Sequence, residues 1–213
     1  MLSLLNQGHI GLFLIILFAI VFSLTFHEFG HAFTAKKLGD DTAEQMGRLT
    51  LNPVRHIDPM GLLLVVMVGF GYARPVPVNP RNLRYPWADA AVAAAGPAMN
   101  LLIAIVAANL AAAGVRYGIP ALQGEAQSTL LIYLAQINVL LMLFNLIPLG
   151  PLDGHYVMEW LLPRNLSQRY HELNSQYGSY LFLVLIALSI MGVPIFRALI
   201  DMTRWVLPWI VFV

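Results

Sequence analysis

The sequence contains no cysteine and few charged residues. Without cysteine there is no disulfide framework, no thiolate ligand and no thiol nucleophile, so a transition-metal site has to use histidine and carboxylate side chains. Charged residues make up only 11% of the chain, and the formal net charge is +1 at pH 7. Because nothing in it resembles a basic footprint, the sequence argues against a nucleic-acid partner.

Apolar residues dominate what is present. They make up 59% of the chain, and the mean hydropathy of +0.72 is too high for a soluble domain of this length. The composition therefore predicts an all-α polytopic membrane protein in a lipid bilayer, a bundle of four to six transmembrane helices. We expect one domain over residues 1–213, with its core at about 10–160 and C-terminal helices at about 177–213.

Three apolar stretches are long enough to span a bilayer, namely 10–37, 88–113 and 128–149. The first lacks a signal-peptide cleavage site, so we expect it to be retained. Residues 163–175 read as a polar loop. The stretches 177–191 and 194–213 form either one kinked span plus an interfacial helix or two short spans.

The segment between the first two spans is polar and turn-rich. Its apolar part, 61–72, is too short to span, which predicts a short re-entrant or β segment. Residues 74–80 read Arg-Pro-Val-Pro-Val-Asn-Pro and predict an extended edge segment. Seven Lys and Arg residues in or beside 38–86 place this segment in the cytoplasm and the N-terminus outside.

The motif His27-Glu28-Phe29-Gly30-His31 ends the first predicted span. On a helix, histidines four residues apart project from one face and can share one metal ion. Glu28 can then reach a water on the metal without binding the metal itself. The motif predicts one Zn²⁺ per chain, and the alternative is two histidines satisfied by neighbouring helices.

A catalytic zinc takes three protein ligands, so the two histidines need a partner. Asp153 is the best candidate, because it is the only carboxylate in the turn-rich end of the third span, and that end is predicted at the same membrane face. A simple turn aspartate before Gly154 is the alternative. Asn145 either donates to a developing oxyanion or caps free carbonyl groups near Pro148.

Three further polar residues have two interpretations each. His56 either holds a loop turn or lies near the metal, and Asn100 contacts either a substrate strand or an adjacent helix. His155 has either a surface role or a ligand role.

Four motifs together resemble the site-2 protease family of intramembrane zinc metalloproteases over about residues 15–160. They are the histidine motif at 27–31, Asn-Pro-Val-Arg-His-Ile-Asp-Pro-Met-Gly at 52–61, Ala-Gly-Pro-Ala-Met-Asn at 95–100 and Asn-Leu-Ile-Pro-Leu-Gly-Pro-Leu-Asp-Gly at 145–154. The resemblance implies His27, His31 and Asp153 as zinc ligands, Glu28 as the catalytic base and Asn145 as a supporting polar residue.

The resemblance also implies a substrate and a location. Family members cut transmembrane helices of other proteins, which suggests a transmembrane protein substrate and a prokaryotic plasma membrane. The chain looks like a minimal form without PDZ or CBS domains. Two alternatives are a metal or proton transporter and a pseudoprotease that binds membrane proteins without cutting them, and the oligomeric state is open.

Overall fold

The computed structural model describes residues 1–69 and 71–213. These residues form helices and turns, with no strand among them. In chain order the α-helices are α1 (Leu2–Asn6), α2 (Ile10–Lys37), α3 (Thr42–Gln45), α4 (Pro59–Val68), α5 (Ala88–Tyr117), α6 (Pro120–Gln123), α7 (Glu125–Asn145), α8 (Gly154–Leu161), α9 (Arg164–Leu173), α10 (Ser179–Ile190) and α11 (Arg197–Val206).

Four helical segments are long and apolar enough to cross a bilayer. They are α2, α5, α7 and the run Arg164–Ile190, in which the π-helical turn Asn174–Gly178 joins α9 to α10. The prediction of an all-α polytopic membrane protein is therefore confirmed, with four candidate spans among the described residues.

Helices α2, α5 and α7 pack against one another and form the core. Their shared interface consists mainly of small side chains, which let helix backbones approach closely in a membrane. Its buried members are Ala19, Ala104, Ala107, Ala108, Leu134, Ala135 and Val139, and Ile210, from the short turn Leu207–Ile210 after α11, packs in the same cluster. This packing fixes the position of α2, which carries the histidine motif, against α5.

Two predicted spans have different bounds in the structure. Helix α5 runs without interruption through Pro97 to Tyr117, beyond the predicted end at 113. Helix α7 begins at Glu125 and ends at Asn145, short of the predicted 149. It ends early because Pro148 disfavours helical geometry in the residue before it and lacks an N–H to continue the helix.

The predicted polar loop at 163–175 is wrong, because residues Arg164–Leu173 form α9. Contacts with neighbouring segments hold this polar helix in place. The Tyr170 hydroxyl donates to the carbonyl of Pro148 at 2.8 Å, and the Ser167 hydroxyl donates to that of Glu159 at 2.8 Å. A polar sequence therefore becomes helical through tertiary contacts that its composition does not reveal.

Between α2 and α5 the chain forms the short helix α4. Asp58 caps this helix, since its carboxylate accepts from the backbone N–H groups of Met60 and Gly61, each at 2.9 Å. The only sheet-type pairing among the described residues is an isolated antiparallel bridge between Ile57 and Ala73. The predicted re-entrant or β segment at 61–72 is not confirmed, and its residue 70 lies outside the described residues.

The C-terminal part has one span followed by one short helix. Helix α11 is amphipathic, and its charged residues Arg197, Asp201 and Arg204 are exposed. The residues that follow α11 are held by hydrogen bonds to Asn109 of α5. Its amide donates to the carbonyl of Ile210 and its side-chain oxygen accepts from the N–H of Phe212, both at 2.7 Å.

Candidate metal centre

The end of α2 and the loop after α7 meet beside the first turns of α5. The Nε2 atoms of His27 and His31 lie 3.0 Å apart, and Asp153 Oδ2 lies 3.2 Å and 3.4 Å from them. With metal–ligand distances of about 2.0 to 2.2 Å, the corners of a tetrahedron around zinc are about 3.4 Å apart. The three atoms therefore have nearly the spacing of three zinc ligands.

The opposite nitrogens of both rings are held by hydrogen bonds from α5. His27 Nδ1 donates to Asn100 Oδ1 and His31 Nδ1 donates to the carbonyl of Val92, each at 2.7 Å. In a neutral imidazole a protonated Nδ1 leaves a lone pair on Nε2. Both lone pairs then point at one another and at a carboxylate, an arrangement that a shared cation stabilises.

Asp153 contributes an unpaired oxygen to this arrangement. Its Oδ2 atom is buried and receives no hydrogen bond within the described residues. Two imidazole nitrogens and one carboxylate oxygen are a donor set that fits Zn²⁺.

Two glycines at the site, Gly96 and Gly154, lie where a Cβ atom would collide with neighbouring atoms. A Cβ atom at Gly96 would collide with His31 Nε2 and lie 2.6 Å from His27 Cε1. A Cβ atom at Gly154 would meet the carbonyl oxygen of Ile147 at 2.5 Å. Gly96 thus permits the close approach of α5 to the histidines, and Gly154 permits the start of α8 to lie close to the backbone that follows α7.

Glu28 is held on a different side of the site by an extended segment, residues 74–79. Its Oε2 atom accepts the backbone N–H of Val76 at 3.1 Å. The buried guanidinium of Arg48 fixes that segment by donating to the carbonyls of Arg74 and, at 3.0 Å, Pro75. Arg48 also attracts Glu28 electrostatically, so the carboxylate is positioned without contacting the three candidate ligands.

Asp40 holds the far end of the extended segment. Its side chain is fully buried and accepts from Asn79 N–H at 2.7 Å and Asn82 Nδ2 at 2.9 Å, as well as from Thr42. Burial raises the pKa of Asp40, but these hydrogen bonds outweigh it and lower the pKa below its ordinary value. The segment beside Glu28 is thus fixed at both ends.

A cavity of about 1020 Å³ opens beside the site. His27, Glu28, His31 and Asp153 line one part of it. The rest is mainly apolar and comes from several elements, among them α7, α10 and α11, which contribute Leu140, Phe144, Phe182, Ile186, Leu199 and Ile200. Its volume is at the upper end of the about 300 to 1,000 Å³ typical of ligand pockets.

The other candidate residues have different surroundings. Asn145 lines the same cavity, and its amide donates to the carbonyl of Leu141 at 2.9 Å. His56 is fully buried and donates from Nε2 to the carbonyl of Thr50 at 2.7 Å, which favours the loop-holding interpretation. His155 Nδ1 donates to the carbonyl of Leu152 at 2.6 Å. Neither His56 nor His155 belongs to the group of candidate metal ligands found in the described residues.

Sequence reasoning missed several residues around the site. Asn138 and Ser23 form a fully buried polar contact with Asn100. Asn174 accepts the N–H of Gly150 at 2.8 Å and so holds the loop that carries Asp153. An amide inside an apolar helix is a usable signal for Asn138, but nothing in the sequence distinguishes Ser23, Asn174 or Arg48 from other polar residues.

The family model described as Peptidase family M50 matches residues 15–121 and 119–186. The protein named "Putative zinc metalloprotease YwhC" from Bacillus subtilis (strain 168) is 44% identical over 172 residues, covering 78% of this chain and 77% of YwhC. The protein named "Putative zinc metalloprotease Rip2" from Mycolicibacterium smegmatis is 34% identical over 161 residues, covering 71% of this chain. This chain spans only 59% of that relative's length. No solved structure gives a significant match.

Proposed function

The chain belongs to peptidase family M50, the site-2 protease family, and from that premise we propose that it is a zinc-dependent intramembrane endopeptidase. Its reaction is hydrolysis of peptide bonds within or near transmembrane helices of substrate proteins. The observation that carries the proposal is the convergence of His27, His31 and Asp153, whose ligand atoms all lie within 4.8 Å of one another.

In this proposal His27, His31 and Asp153 would hold the metal, and three protein ligands are the number typical of a catalytic zinc. Bound zinc supplies a Lewis acid that polarises the scissile carbonyl and makes water a nucleophile near pH 7. Glu28 takes a proton from the attacking water and later gives it to the leaving amine. No covalent link between enzyme and substrate is needed.

Asn145 has a supporting role. One hydrogen of its amide is used by the carbonyl of Leu141, and the other can donate to the oxyanion that develops on the scissile carbonyl. Its presence in the wall of the same cavity as the candidate ligands supports this assignment. If Asn145 were only structural, its hydrogen bond to Leu141 would suffice, and mutation of Asn145 would not specifically lower kcat.

The substrate is a transmembrane segment in an unwound form. A helix keeps its carbonyl groups in internal hydrogen bonds, so the scissile peptide has to be extended before water attacks it. The mainly apolar cavity suits apolar side chains, and the extended segment beside Glu28 offers a backbone edge for strand addition. With the N-terminus outside, the site lies near the cytoplasmic face of the membrane.

The test uses purified full-length chain, its bound zinc and a reporter protein with one transmembrane helix. We expect wild type to retain zinc and cut the reporter, Glu28→Gln to retain zinc without cutting, and Asp153→Ala to lose zinc and cutting together. Glu125→Gln, an exposed acid at the start of α7, is the matched control and should behave as wild type. Zinc flux into liposomes without cleavage would instead indicate a transporter, and zinc binding without either activity would indicate a pseudoprotease.

A further inference from the structure

Three polar side chains behind His27 have no solvent exposure. They are Ser23 of α2, Asn100 of α5 and Asn138 of α7. Polar groups in the interior of a membrane bundle are costly unless each is hydrogen-bonded. Here three different helices supply one polar group each to the same place. Among the described residues, the hydrogen bond that joins this cluster to His27 is made by Asn100.

The hydrogen bonds of this cluster run in one direction. The Ser23 hydroxyl donates to the carbonyl of Ala19 at 2.6 Å, and Asn138 Nδ2 donates to Ser23 Oγ at 2.7 Å. Asn100 Nδ2 then donates to Asn138 Oδ1 at 2.8 Å and, at the longer distance of 3.4 Å, to the carbonyl of Ser23, which leaves Asn100 Oδ1 to accept from His27. A backbone carbonyl accepts only, so Ala19 sets the direction of the whole series.

A second carbonyl fixes Asn138 in the same orientation. Asn138 Nδ2 also donates to the carbonyl of Leu134 at 2.8 Å, so its Oδ1 has to face Asn100. If the Asn100 amide were reversed, two side-chain oxygens would face each other, and its NH₂ group would face His27 Nδ1. A neutral His27 would then carry its proton on Nε2, the nitrogen that faces His31 and Asp153.

We propose that Ser23, Asn138 and Asn100 select the tautomer of His27, with Asn138 as the positioning residue that acts through Asn100. The selected form has its proton on Nδ1 and its lone pair on Nε2, where the zinc of the proposed function binds. His31 needs no such series, because its Nδ1 donates directly to the carbonyl of Val92, which cannot be reversed. The two ligands are therefore oriented by different means.

The inference rests on the proposed zinc site for its purpose, but its test does not depend on proteolysis. The full-length chain is labelled with ¹⁵N-histidine and stripped of metal. Long-range ¹H–¹⁵N spectra at alkaline pH then report which ring nitrogen carries the proton, and a His27→Asn sample assigns the signal. We expect the proton of His27 on Nδ1 in wild type and a substantial Nε2–H population in Asn138→Leu. Zinc affinity, from competition with a chelator, should fall about 10- to 100-fold in that variant.

Two further variants separate orientation from stability. Asn138→Asp keeps an oxygen that accepts from Asn100 and should retain the wild-type tautomer. Asn109→Leu removes three hydrogen bonds of another intramembrane asparagine on α5, away from the metal centre. It should lower thermal stability without changing the tautomer or the zinc affinity.

Several results would overturn the inference. One is a wild-type spectrum that shows the His27 proton on Nε2, a result that refutes the inference without any variant of the cluster. Another is an unchanged tautomer in Asn138→Leu, or in the smaller Asn138→Ala if the leucine variant does not fold. A loss of zinc affinity in Asn109→Leu equal to that in Asn138→Leu would also refute it. A wild-type protein with the expected tautomer but no cleavage would refute only the proposed function.

Discussion

Val76 donates its backbone N–H to Glu28 Oε2 at 3.1 Å, although 48 positions separate the two residues. The donor lies between Pro75 and Pro77, neither of which has an N–H, so it is the only backbone donor in that tripeptide. The extended segment thus contacts the proposed catalytic base directly. The same segment is the proposed edge for substrate binding, and the two roles can be separated by proline substitution.

Val76→Pro removes the donor to Glu28 while keeping an extended backbone. We expect kcat to fall about tenfold, equivalent to about 1.4 kcal/mol of transition-state stabilisation, because the carboxylate loses one of its fixed contacts. Zinc content should not change. The measurement is steady-state cleavage of the reporter helix together with metal analysis.

Val78→Pro is the companion variant, because Val78 lines the cavity and is two residues further along the same segment. If substrates add as a strand, this change should raise KM more than it lowers kcat, since it removes a backbone donor from the edge. Unchanged cleavage by both proline variants would exclude strand addition along residues 74–80.

Gly96→Ala should disrupt the candidate metal centre. Its added methyl group would occupy space now filled by the imidazoles of His27 and His31, so we expect zinc binding and cleavage to be lost together. Gly11→Ala in α2 is the control, because a Cβ there meets nothing within 4 Å. Metal analysis and a cleavage assay on both variants check the prediction, and full zinc occupancy in Gly96→Ala would contradict the site geometry.

Asp40→Asn should lower the free energy of unfolding by about 2 kcal/mol at pH 7, because hydrogen bonds to a charged acceptor become weaker ones. The pKa of Asp40 is depressed below its ordinary value of 3.8 in the folded state. The stabilisation that ionised Asp40 gives the folded state is therefore fully present at pH values above its ordinary pKa. It is lost as the pH falls through the pKa of Asp40 in the folded state.

The difference in stability between wild type and Asp40→Asn should therefore shrink at pH values below about 4. Thermal unfolding in detergent at several pH values measures it. The exposed neighbour Asp41 supplies the control, since its side chain makes no capping hydrogen bond. Asp41→Asn should leave stability unchanged, and an equal loss in both variants would show that the effect is one of general charge.

Asn174→Ala should weaken zinc binding without touching any ligand. The side chain holds Gly150, three residues before Asp153, and without it the loop loses the acceptor for that N–H. Asn174→Asp keeps an acceptor and should restore most of the affinity, whereas Asn165→Ala on exposed α9 should have no effect. Chelator competition measures all three, and equal affinities in Asn174→Ala and wild type would show that the loop is fixed by other contacts.

The membrane class and the bounds of α2 could be predicted from the sequence, and so could the meeting of His27, His31 and Asp153. Helix α2 has the predicted bounds, because its apolar run ends at two lysines that also end the helix. The histidine spacing and the proline-rich turn before Asp153 carry strong local signals, and the structure brings those residues together. These predictions use the periodicity of apolar residues and the presence of ionisable side chains whose transfer into a bilayer is energetically unfavourable.

The features that the sequence did not predict depend on tertiary contacts. Helix α9 reads as a loop because its polar residues are satisfied by partners such as Pro148 that are distant along the chain. The sequence does not decide the role of Asn100, because either a substrate or a helix could satisfy its amide, and its hydrogen bonds to His27 and Asn138 show that neighbouring helices do. In the sequence Arg48 resembles any loop arginine until the carbonyls that it binds are known.

The anchors of both imidazoles, Asn100 and the carbonyl of Val92, belong to one helix, α5, whereas the third candidate ligand comes from residues that the ribosome adds about fifty positions later. During synthesis, therefore, both ring anchors are made before the third candidate ligand. A nascent chain that ends before residue 153 lacks the third candidate ligand, so under the proposed function it could not yet complete the metal centre.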